Sequence, residues 1–384
     1  MRVIWHTSRV NKECAQMNPQ QQFCPNKLCH ASGKPNQGNI VIHSRKQRRY
    51  KCTCCGRTFS ATKGTALYGL KKPAELFVLV ITLLANGCPV QAVVVAFGLD
   101  ERTITAWLHK AGTHGRQVHD HLVGQSQLDL GQVQADEIKV KTQYGTLWMA
   151  MAMMVSTRLW LGGVLSPRRD LDLIQQLVAH IRAVALCRPL LLAVDGLVSY
   201  IKAFQLAFRS PLRLGQRGAP RKIAWPNVAI VQVVKRRRGN KLTIERRIVQ
   251  GCEYLIAGLL QTTQPGCQIN TAYIERLNAT FRQRLSCLAR RTRALARTPG
   301  TVEAGMFLLG CVYNFCTWHK SLRLPLFIAG NGRRWVQRTP AMAAGLADHC
   351  WTIHELLLFK VPTRFQPPRR RGRPRKFICI CGVS

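Results

Sequence analysis

Apolar residues follow two different periods in the middle of the chain. Between residues 133 and 165, short segments rich in β-branched or apolar residues are bounded by Gly, Ser or Pro, as β-strands are. These predicted strands are Val133–Val140, Thr146–Val155 and Leu159–Leu165. Residues 170–185 instead repeat apolar positions every three or four residues, which predicts a helix. A buried strand at Leu190–Val194 and a helix at Val198–Phe208 follow. The order β-β-β-α-β-α indicates an α/β fold, a mixed sheet flanked by helices.

A second apolar stretch, from Leu76 to Leu99, is long enough to suggest a membrane span. Polar and helix-breaking residues interrupt it, namely Asn86, Gly87, Pro89 and Gln91. The interruption comes after about three turns, so the pattern predicts two short amphipathic helices and no membrane association. The start of the chain has no apolar segment typical of a signal peptide, and we expect a cytoplasmic, nucleoid-associated protein.

The segment from Pro89 to Lys110 predicts a helix-turn-helix. An apolar helix is followed by Gly98 and then by a second helix, for which Asp100 is a good N-cap. The second helix would turn Ile104, Trp107 and Leu108 to the core. It would leave free for a DNA major groove Arg102, Thr103, Ala106, His109 and Lys110. An ordinary helical hairpin is the alternative.

The charge of the chain indicates what kind of partner it binds. The chain has 57 Lys and Arg against 17 Asp and Glu, a formal net charge of +40. So large an excess indicates a polyanionic partner, and double-stranded DNA is the expected one. Residues 196–244 contain no acid, and they include a predicted basic hairpin near 228–249 with its tip at Lys235–Asn240.

The end of the chain is also basic. Residues 369–376 contain Arg371-Gly-Arg373 followed by proline, a pattern that resembles an AT-hook. An extended Arg-Gly-Arg segment fits the narrow minor groove of A·T-rich DNA. A basic tail that contacts phosphates without sequence preference is the alternative.

Sixteen cysteines include one cluster with the spacing of a metal site. Cys24 and Cys29 form one pair and Cys52 and Cys55 another, with a basic hairpin-like loop between them. Two such pairs can supply the four thiolates of a structural zinc ion. Cys54 and His30 compete as ligands, and reduced structural cysteines without metal are the alternative.

Three acidic residues occupy positions at which active-site residues commonly lie in α/β sheets. Asp136 lies within the first predicted strand, Asp195 follows the fourth, and Glu275 lies on a later helix with Asn278 and Arg282 on the same face. Three carboxylates can hold two Mg²⁺ (or Mn²⁺) ions for phosphoryl transfer.

Simpler roles remain open for each acid. Asp195 is also placed to cap the next helix, and Glu275 to pair with Arg276 or Arg282. Glu137 is an alternative ligand to Asp136, but adjacent strand residues face opposite sides, so only one of them would point into the site.

With these pieces in order, the chain resembles a bacterial insertion-sequence transposase of the DDE class with an N-terminal zinc ribbon and helix-turn-helix. The resemblance covers about residues 24–358. Its motifs are Gln134-Ala-Asp-Glu137, Val194-Asp-Gly196, Asn270–Arg282, Tyr313-Asn-Phe-x-x-x-His319-x-Ser-Leu322 and Arg338–Leu346. It departs from that pattern at Cys54 and in an apolar end that contains Cys379 and Cys381.

The resemblance implies a ribonuclease-H-like catalytic domain and a metal-binding triad of Asp136, Asp195 and Glu275. It implies Mg²⁺-dependent cleavage and strand transfer at the ends of a mobile element, by a homo-oligomer on DNA. The secondary residues would be His319, Asn278 and Arg282, and DNA would be contacted on the catalytic helix by Arg276, Asn278 and Arg282.

The corresponding domains would be a zinc module at 22–60, the helix-turn-helix at 73–122, the catalytic domain at 130–325 and a C-terminal extension at 326–384. Two other functions fit the same sequence. One is a catalytically inactive DNA-binding regulator that uses residues 24–122 and the basic tail, and the other is a host nuclease that cuts without joining strands.

Overall fold

The computed structural model describes residues 17–212, 218–239, 241–290, 292–327 and 333–366. The chain divides into two compact units. One consists of Met1–Tyr68 together with Lys360–Ser384, and the other of Gly69–Phe359.

The first unit contains a small antiparallel sheet. Its strands are β1 (Ile40–Ser44), β2 (Arg49–Cys52) and β3 (Thr58–Ser60), with β2 in the middle. Ile40, Tyr50 and Phe59 are buried together beside the cysteines. The short strands lie around the two cysteine pairs, so this small core forms beside the cysteines.

A C-terminal segment belongs to this first unit. Gln366 N donates to the carbonyl of Lys27 at 2.7 Å, and the hydroxyls of Ser32 and Thr363 lie 2.7 Å apart. Gly33 has a φ of +66°, and a Cβ there would lie 2.0 Å from the carbonyl oxygen of Thr363, so the close approach requires glycine. The predicted module at 22–60 is therefore completed by residues that the sequence assigned to a separate extension.

The second unit begins with helices. They are α1 (Ala74–Ala85), α2 (Val90–Phe97) and α3 (Glu101–Leu122). Gly98 ends α2 with a φ of +59°, and Asp100 caps α3 by accepting a hydrogen bond from Arg102 N at 2.7 Å. The predicted break in the apolar stretch is confirmed. Among the described residues, no helix has both the length and the apolar character needed to cross a bilayer.

A mixed sheet forms the centre of the second unit. Its first four strands are β4 (Gln132–Thr142), β5 (Gly145–Met154), β6 (Trp160–Ser166) and β7 (Leu190–Val194). A separate hairpin of β8 (Arg209–Leu212) and β9 (Arg221–Ala224) follows, then β10 (Val228–Arg238) and β11 (Lys241–Gln250). Within the described part of the chain, the six sheet strands lie in the order β11-β10-β7-β4-β5-β6. The predicted α/β class is confirmed.

Strand direction changes across this sheet. β4, β5 and β6 are antiparallel neighbours, whereas β7 is parallel to both β4 and β10. The basic hairpin was predicted as an insertion, but both of its arms, β10 and β11, are strands of the sheet. The arm β10 extends to Arg238, beyond its pairing with β7, which ends at Gln232.

Helices cover both faces of the sheet. They are α4 (Leu171–Val184), α5 (Val198–Ala207), α6 (Glu253–Thr263), α7 (Ala272–Arg284) and α8 (Pro299–Cys311). Ile138 and Met149 pack with Leu277 and Phe281 of α7, and Leu191 packs with α6. α4 and α5 cover the opposite face, where Tyr200 is buried.

The remaining elements close the second unit. A π-helical turn at Val312–Cys316 follows α8, and then come β12 (Leu324–Phe327), β13 (Arg333–Val336), α9 (Pro340–Ala343) and α10 (Ile353–Leu358).

The predicted helix-turn-helix segment and the sheet belong to one compact unit, although the sequence predicted a domain boundary between 122 and 130. The reason is close packing of α3 on α8. A Cβ on Gly112 would lie 2.3 Å from the carbonyl oxygen of Ala304, so the two backbones touch where Gly112 has no side chain.

Candidate functional site

The four predicted cysteines converge on one point. The Sγ atoms of Cys24 and Cys55 are 3.6 Å apart, those of Cys29 and Cys52 are 3.9 Å apart, and all four lie within 4.8 Å of one another. Cys54 is exposed and outside the cluster. Cys52 is the last residue of β2 and Cys55 lies in the tight turn that follows, so a local turn brings both sulfurs to the cluster. This group could bind a metal ion.

Two neighbours of the cluster were not predicted. Asn39 Nδ2 donates to Cys52 Sγ at 3.2 Å. Burial acts to raise the pKa of the Cys52 thiol, but the backbone N–H groups of Cys55 and Cys54 and the Asn39 amide lower it to about 7. His30, the other candidate ligand, is exposed and its ring stacks on Phe365 at 5.2 Å.

The three predicted acids line one cleft of about 730 Å³ in the second unit. Asp136 comes from β4, Asp195 from the position directly after β7, and Glu275 from the first turn of α7. The cleft is also lined by cationic side chains, which are Arg169, Lys235, Arg282 and Arg290. Carboxylates and cations thus share one concave surface.

Asp136 is held by two donors. Its Oδ1 accepts from the backbone N–H of Glu137 at 2.8 Å, and its Oδ2 accepts from Asn278 Nδ2 at 2.8 Å. Burial, and then the negative charge of Glu137, raise the pKa of Asp136 to about 6. The sequence assigned Asn278 to DNA contact. Its side chain is instead buried against Asp136, because α7 turns this face onto β4.

Glu137 lies closer to the other acids than strand alternation predicted. Oxygens of Asp136, Glu137 and Asp195 all lie within 4.8 Å of one another, and this acidic group could bind metal ions. Glu137 does face the opposite side of the sheet, since it accepts a hydrogen bond from Tyr200 on α5 at 2.9 Å. Its long side chain nevertheless brings the carboxylate near the end of β7.

Asp195 has a backbone and a side-chain partner. Its Oδ1 accepts from Leu197 N at 3.0 Å, which stabilises the turn into α5. Its Oδ2 accepts from Arg169 at 3.2 Å. Asp195 does not cap α5, whose N-cap is Leu197 and has no side-chain cap hydrogen bond; it holds the turn before that helix while it lines the cleft.

Glu275 is paired with Lys235 of β10, and it also accepts from the Thr271 hydroxyl at 2.8 Å. The predicted alternative partners were Arg276 and Arg282, and neither pairs with Glu275. Arg276 is exposed, and Arg282 lines the cleft. Glu275 is not in the tight group of Asp136, Glu137 and Asp195.

The residues predicted to read DNA through the helix-turn-helix differ in exposure. Arg102 is exposed, and Thr103 and Lys110 are partly exposed. His109 was expected to be free, but its Nε2 lies 3.1 Å from the hydroxyl of Thr301 on α8. Packing of α3 against α8 explains this difference.

The remaining predicted residues are the two arginines of the basic tail and His319. Arg371 and Arg373 lie outside the described residues. His319 packs edge-on against Tyr313, with ring centroids 4.6 Å apart, and does not line the cleft as described. Burial, and then the charges of Arg158 and Arg284, lower the pKa of His319 to about 4.

Arg169, Lys235 and Tyr200 are the site residues that the sequence did not identify. Each is far in sequence from the acid it contacts. In the sequence, Lys235 lies at the tip of the predicted basic hairpin and Arg169 directly precedes the cap of α4, and neither position indicates a contact with an acid.

Comparison of the chain with models of known protein families and with curated proteins finds no match in either case.

Proposed function

We propose that the protein is a transposase of the DDE class, which binds element ends and catalyses metal-dependent DNA strand cleavage and strand transfer. The observation that carries this proposal is that Asp136, Asp195 and Glu275 line one cleft with four cationic side chains. Carboxylates bind divalent ions and the surrounding cations bind phosphates, which is the combination that phosphoryl transfer on DNA needs.

The strand order supports the ribonuclease-H-like assignment. Three antiparallel strands, β4 to β6, are continued on the other side of β4 by β7 and β10, both parallel to β4. One acid lies in the central strand β4 and another at the carboxyl end of its parallel neighbour β7, where α/β sheets collect active groups.

The cysteine cluster fits zinc. A tetrahedral ion with Zn–S bonds of about 2.3 Å separates its sulfurs by about 3.8 Å. The distances of 3.6 and 3.9 Å between paired Sγ atoms bracket that value. We therefore assign a structural Zn²⁺ to Cys24, Cys29, Cys52 and Cys55, and a zinc-ribbon role to this unit.

The carboxylate cleft fits Mg²⁺ or Mn²⁺. Its donors are oxygens, which these ions prefer. Asn278 Oδ1 is buried, has no hydrogen-bond partner among the described residues and belongs to a side chain that lines the cleft, so a cation offers it a partner. Asp136, Asp195 and Glu275 would hold two such ions, which supply activation of a water or 3′-hydroxyl and stabilisation of the leaving oxygen.

The protein's own residues then have defined tasks. Asn278 orients the Asp136 carboxylate through its amide. Arg282 and Arg290 line the cleft and bind the phosphates of the strand next to the acids. Lys235 pairs with Glu275, and in a complex with DNA its ammonium group would bind a phosphate in place of that carboxylate.

DNA binding is assigned to the helix-turn-helix around Arg102, Thr103 and Lys110, to Arg276 on α7 and to the basic tail with Arg371 and Arg373. A homo-oligomer on DNA and a location at the nucleoid belong to the same proposal. The net charge of +40 supports the choice of a polyanionic partner.

The test uses the full-length protein and a linear DNA that carries the sequences flanking its gene. Mg²⁺-dependent nicking or joining at defined ends is expected, and Asp136→Asn or Glu275→Gln should abolish it while DNA binding persists. Asp172→Asn, at an exposed acid on α4, is the matched control and should remain active. Cleavage that survives both site variants would overturn the proposal.

A second candidate is the catalytically inactive DNA-binding regulator. The pairing of Glu275 with Lys235 and of Asp195 with Arg169 favours it, because both acids already have cationic partners. The same experiment decides, since this function predicts binding without cleavage in any divalent metal. Cutting without joining would identify the host nuclease instead.

A further inference from the structure

A hydrogen-bonded chain connects the two faces of the sheet beside the cleft. Tyr200 OH donates to Glu137 Oε2 at 2.9 Å, and Arg169 Nε donates to Glu137 Oε1 at 2.5 Å. Another nitrogen of the same guanidinium group, Nη2, donates to Asp195 Oδ2 at 3.2 Å. The order of contacts is therefore Tyr200, Glu137, Arg169 and Asp195.

The position of Glu137 distinguishes it from the other acids. Its side chain has an exposed fraction of 0%, and each of its carboxylate oxygens already accepts a hydrogen bond from a side chain. It does not line the described cleft, whereas Asp136, Arg169 and Asp195 do. Although one of its oxygens lies near Asp136 and Asp195, the Glu137 side chain is therefore not exposed to the cleft that those two acids line.

Arg169 is well placed to transmit the orientation of Glu137. It directly precedes Asp170, which caps α4, and its guanidinium carbon lies 5.1 Å from the centre of the Trp148 ring. With its backbone held at a helix start and its guanidinium held by Glu137, Arg169 has little freedom. The Arg169 side chain is 36% exposed, whereas the Glu137 side chain is fully buried, so the Glu137 end of the pair is fixed by its two hydrogen bonds.

We propose that Glu137 is a positioning residue that acts through Arg169 on Asp195, and is not itself a metal ligand. This inference rests on the proposed function, because it assigns Asp195 to the metal centre. Outer partners of metal ligands typically change metal affinity by about 10- to 100-fold when they are removed.

The experiment measures Mn²⁺ affinity of the full-length protein by electron paramagnetic resonance, with two variants that preserve charge. Glu137→Asp shortens the side chain so that it no longer reaches both donors, and Tyr200→Phe removes one donor. Thermal unfolding of every variant is measured alongside. If Glu137→Asp does not fold, Tyr200→Phe carries the same comparison.

Each variant is made in the wild-type background and in an Arg169→Gln background. In the wild type, Glu137→Asp should weaken Mn²⁺ binding by about tenfold or more, and Tyr200→Phe should act in the same direction. In the Arg169→Gln background both effects should fall to within about twofold, because the connection to Asp195 is already broken. Equal losses in both backgrounds would overturn the inference and identify Glu137 as a direct ligand.

A failure of the proposed function has a different signature. Asp136→Asn should abolish the Mn²⁺ signal of the bound ion, and Asp172→Asn should leave it unchanged. If the wild type binds no Mn²⁺ in a manner that depends on Asp136, the metal centre itself is wrong. If it does bind and the two backgrounds respond alike, only the positioning role of Glu137 is wrong.

Discussion

The cysteine cluster and the carboxylate cleft each collect ligands from distant parts of the chain, but they leave those ligands in opposite states. The thiols lie against one another, 3.6 and 3.9 Å apart in pairs, and three of the four residues are buried. The acids of the cleft are instead held by other side chains, an amide at Asp136 and cations at Asp195 and Glu275.

This difference indicates how each site would bind a metal ion. A closed set of four sulfurs leaves no coordination position for a substrate and suits a structural ion. An open cleft whose acids are already held by protein groups suits ions that arrive with a polyanion and share its charge. The four predictions below test that contrast, beginning with the largest effect.

Removing one thiol should disrupt the closed site. Cys52→Ser is expected to lose the zinc and to unfold the unit that contains β1 to β3, because structural zinc contributes about 10–16 kcal/mol of apparent binding energy in small domains. Zinc content and limited proteolysis measure both effects. Cys54→Ser, at an exposed neighbour outside the cluster, should keep its zinc. Full zinc content in Cys52→Ser would contradict the assignment.

Removing the amide should misalign the open site without unfolding it. Asn278→Ala takes away the hydrogen bond to ionised Asp136, which is worth about 1.5–3 kcal/mol, and should weaken Mn²⁺ binding by about tenfold. Calorimetry of unfolding and Mn²⁺ titration are the measurements. Gln283→Ala, at an exposed position on the same helix, serves as the control. Unchanged Mn²⁺ affinity in Asn278→Ala would show that Asp136 needs no orienting partner.

Acid should release the ion of the open site at an unusually high pH. Bound metal needs the ionised carboxylate, and the pKa of Asp136 is raised to about 6, so protons compete below that pH. Mn²⁺ should bind about tenfold more weakly at pH 5 than at pH 7. The same raised pKa makes the metal-free protein lose stability as pH rises from about 4 to about 6. Affinity that is flat between pH 5 and pH 7 would exclude Asp136 as the titrating ligand.

Removing the lysine that pairs with Glu275 should have the smallest effect on Mn²⁺ affinity. Lys235→Met removes a partly exposed ion pair, which is worth about 0.2–1 kcal/mol, so Mn²⁺ should bind up to about fivefold more tightly. Lys222→Met, on the exposed β9 strand, lowers the net charge equally and is the matched control. Equal changes in both variants would mean that overall charge, and not the pair with Glu275, governs the affinity.

Much of this architecture follows from local sequence. The strands β4 to β7, the break between α1 and α2 and the cap at Asp100 come from short-range periodicity and backbone chemistry, and all are present. The cysteine spacing identified the four clustered thiols, because the two tight pairs are local features as well.

The remaining features depend on contacts between residues far apart in the sequence, which local patterns do not predict. A helical wheel places Asn278 on the polar face of α7, and only the packing of α7 on β4 shows that this face is buried against Asp136. Strand alternation correctly separates Asp136 from Glu137, but it does not account for the length of a glutamate side chain. The contact of Thr363 with Ser32 joins residues 331 positions apart.

The close packing of Gly112 on Ala304 has a mechanical consequence. The helix α3 carries Arg102 near its start and Gly112 in its middle, and its 22 residues form a single rod about 33 Å long. If DNA binds at the start of α3 as proposed, the helix fixes the position of that DNA relative to the sheet. Inserting one residue between Arg102 and Gly112 would rotate the start of α3 by about 100°, so the proposed DNA-binding residues keep their orientation only at the present helix length.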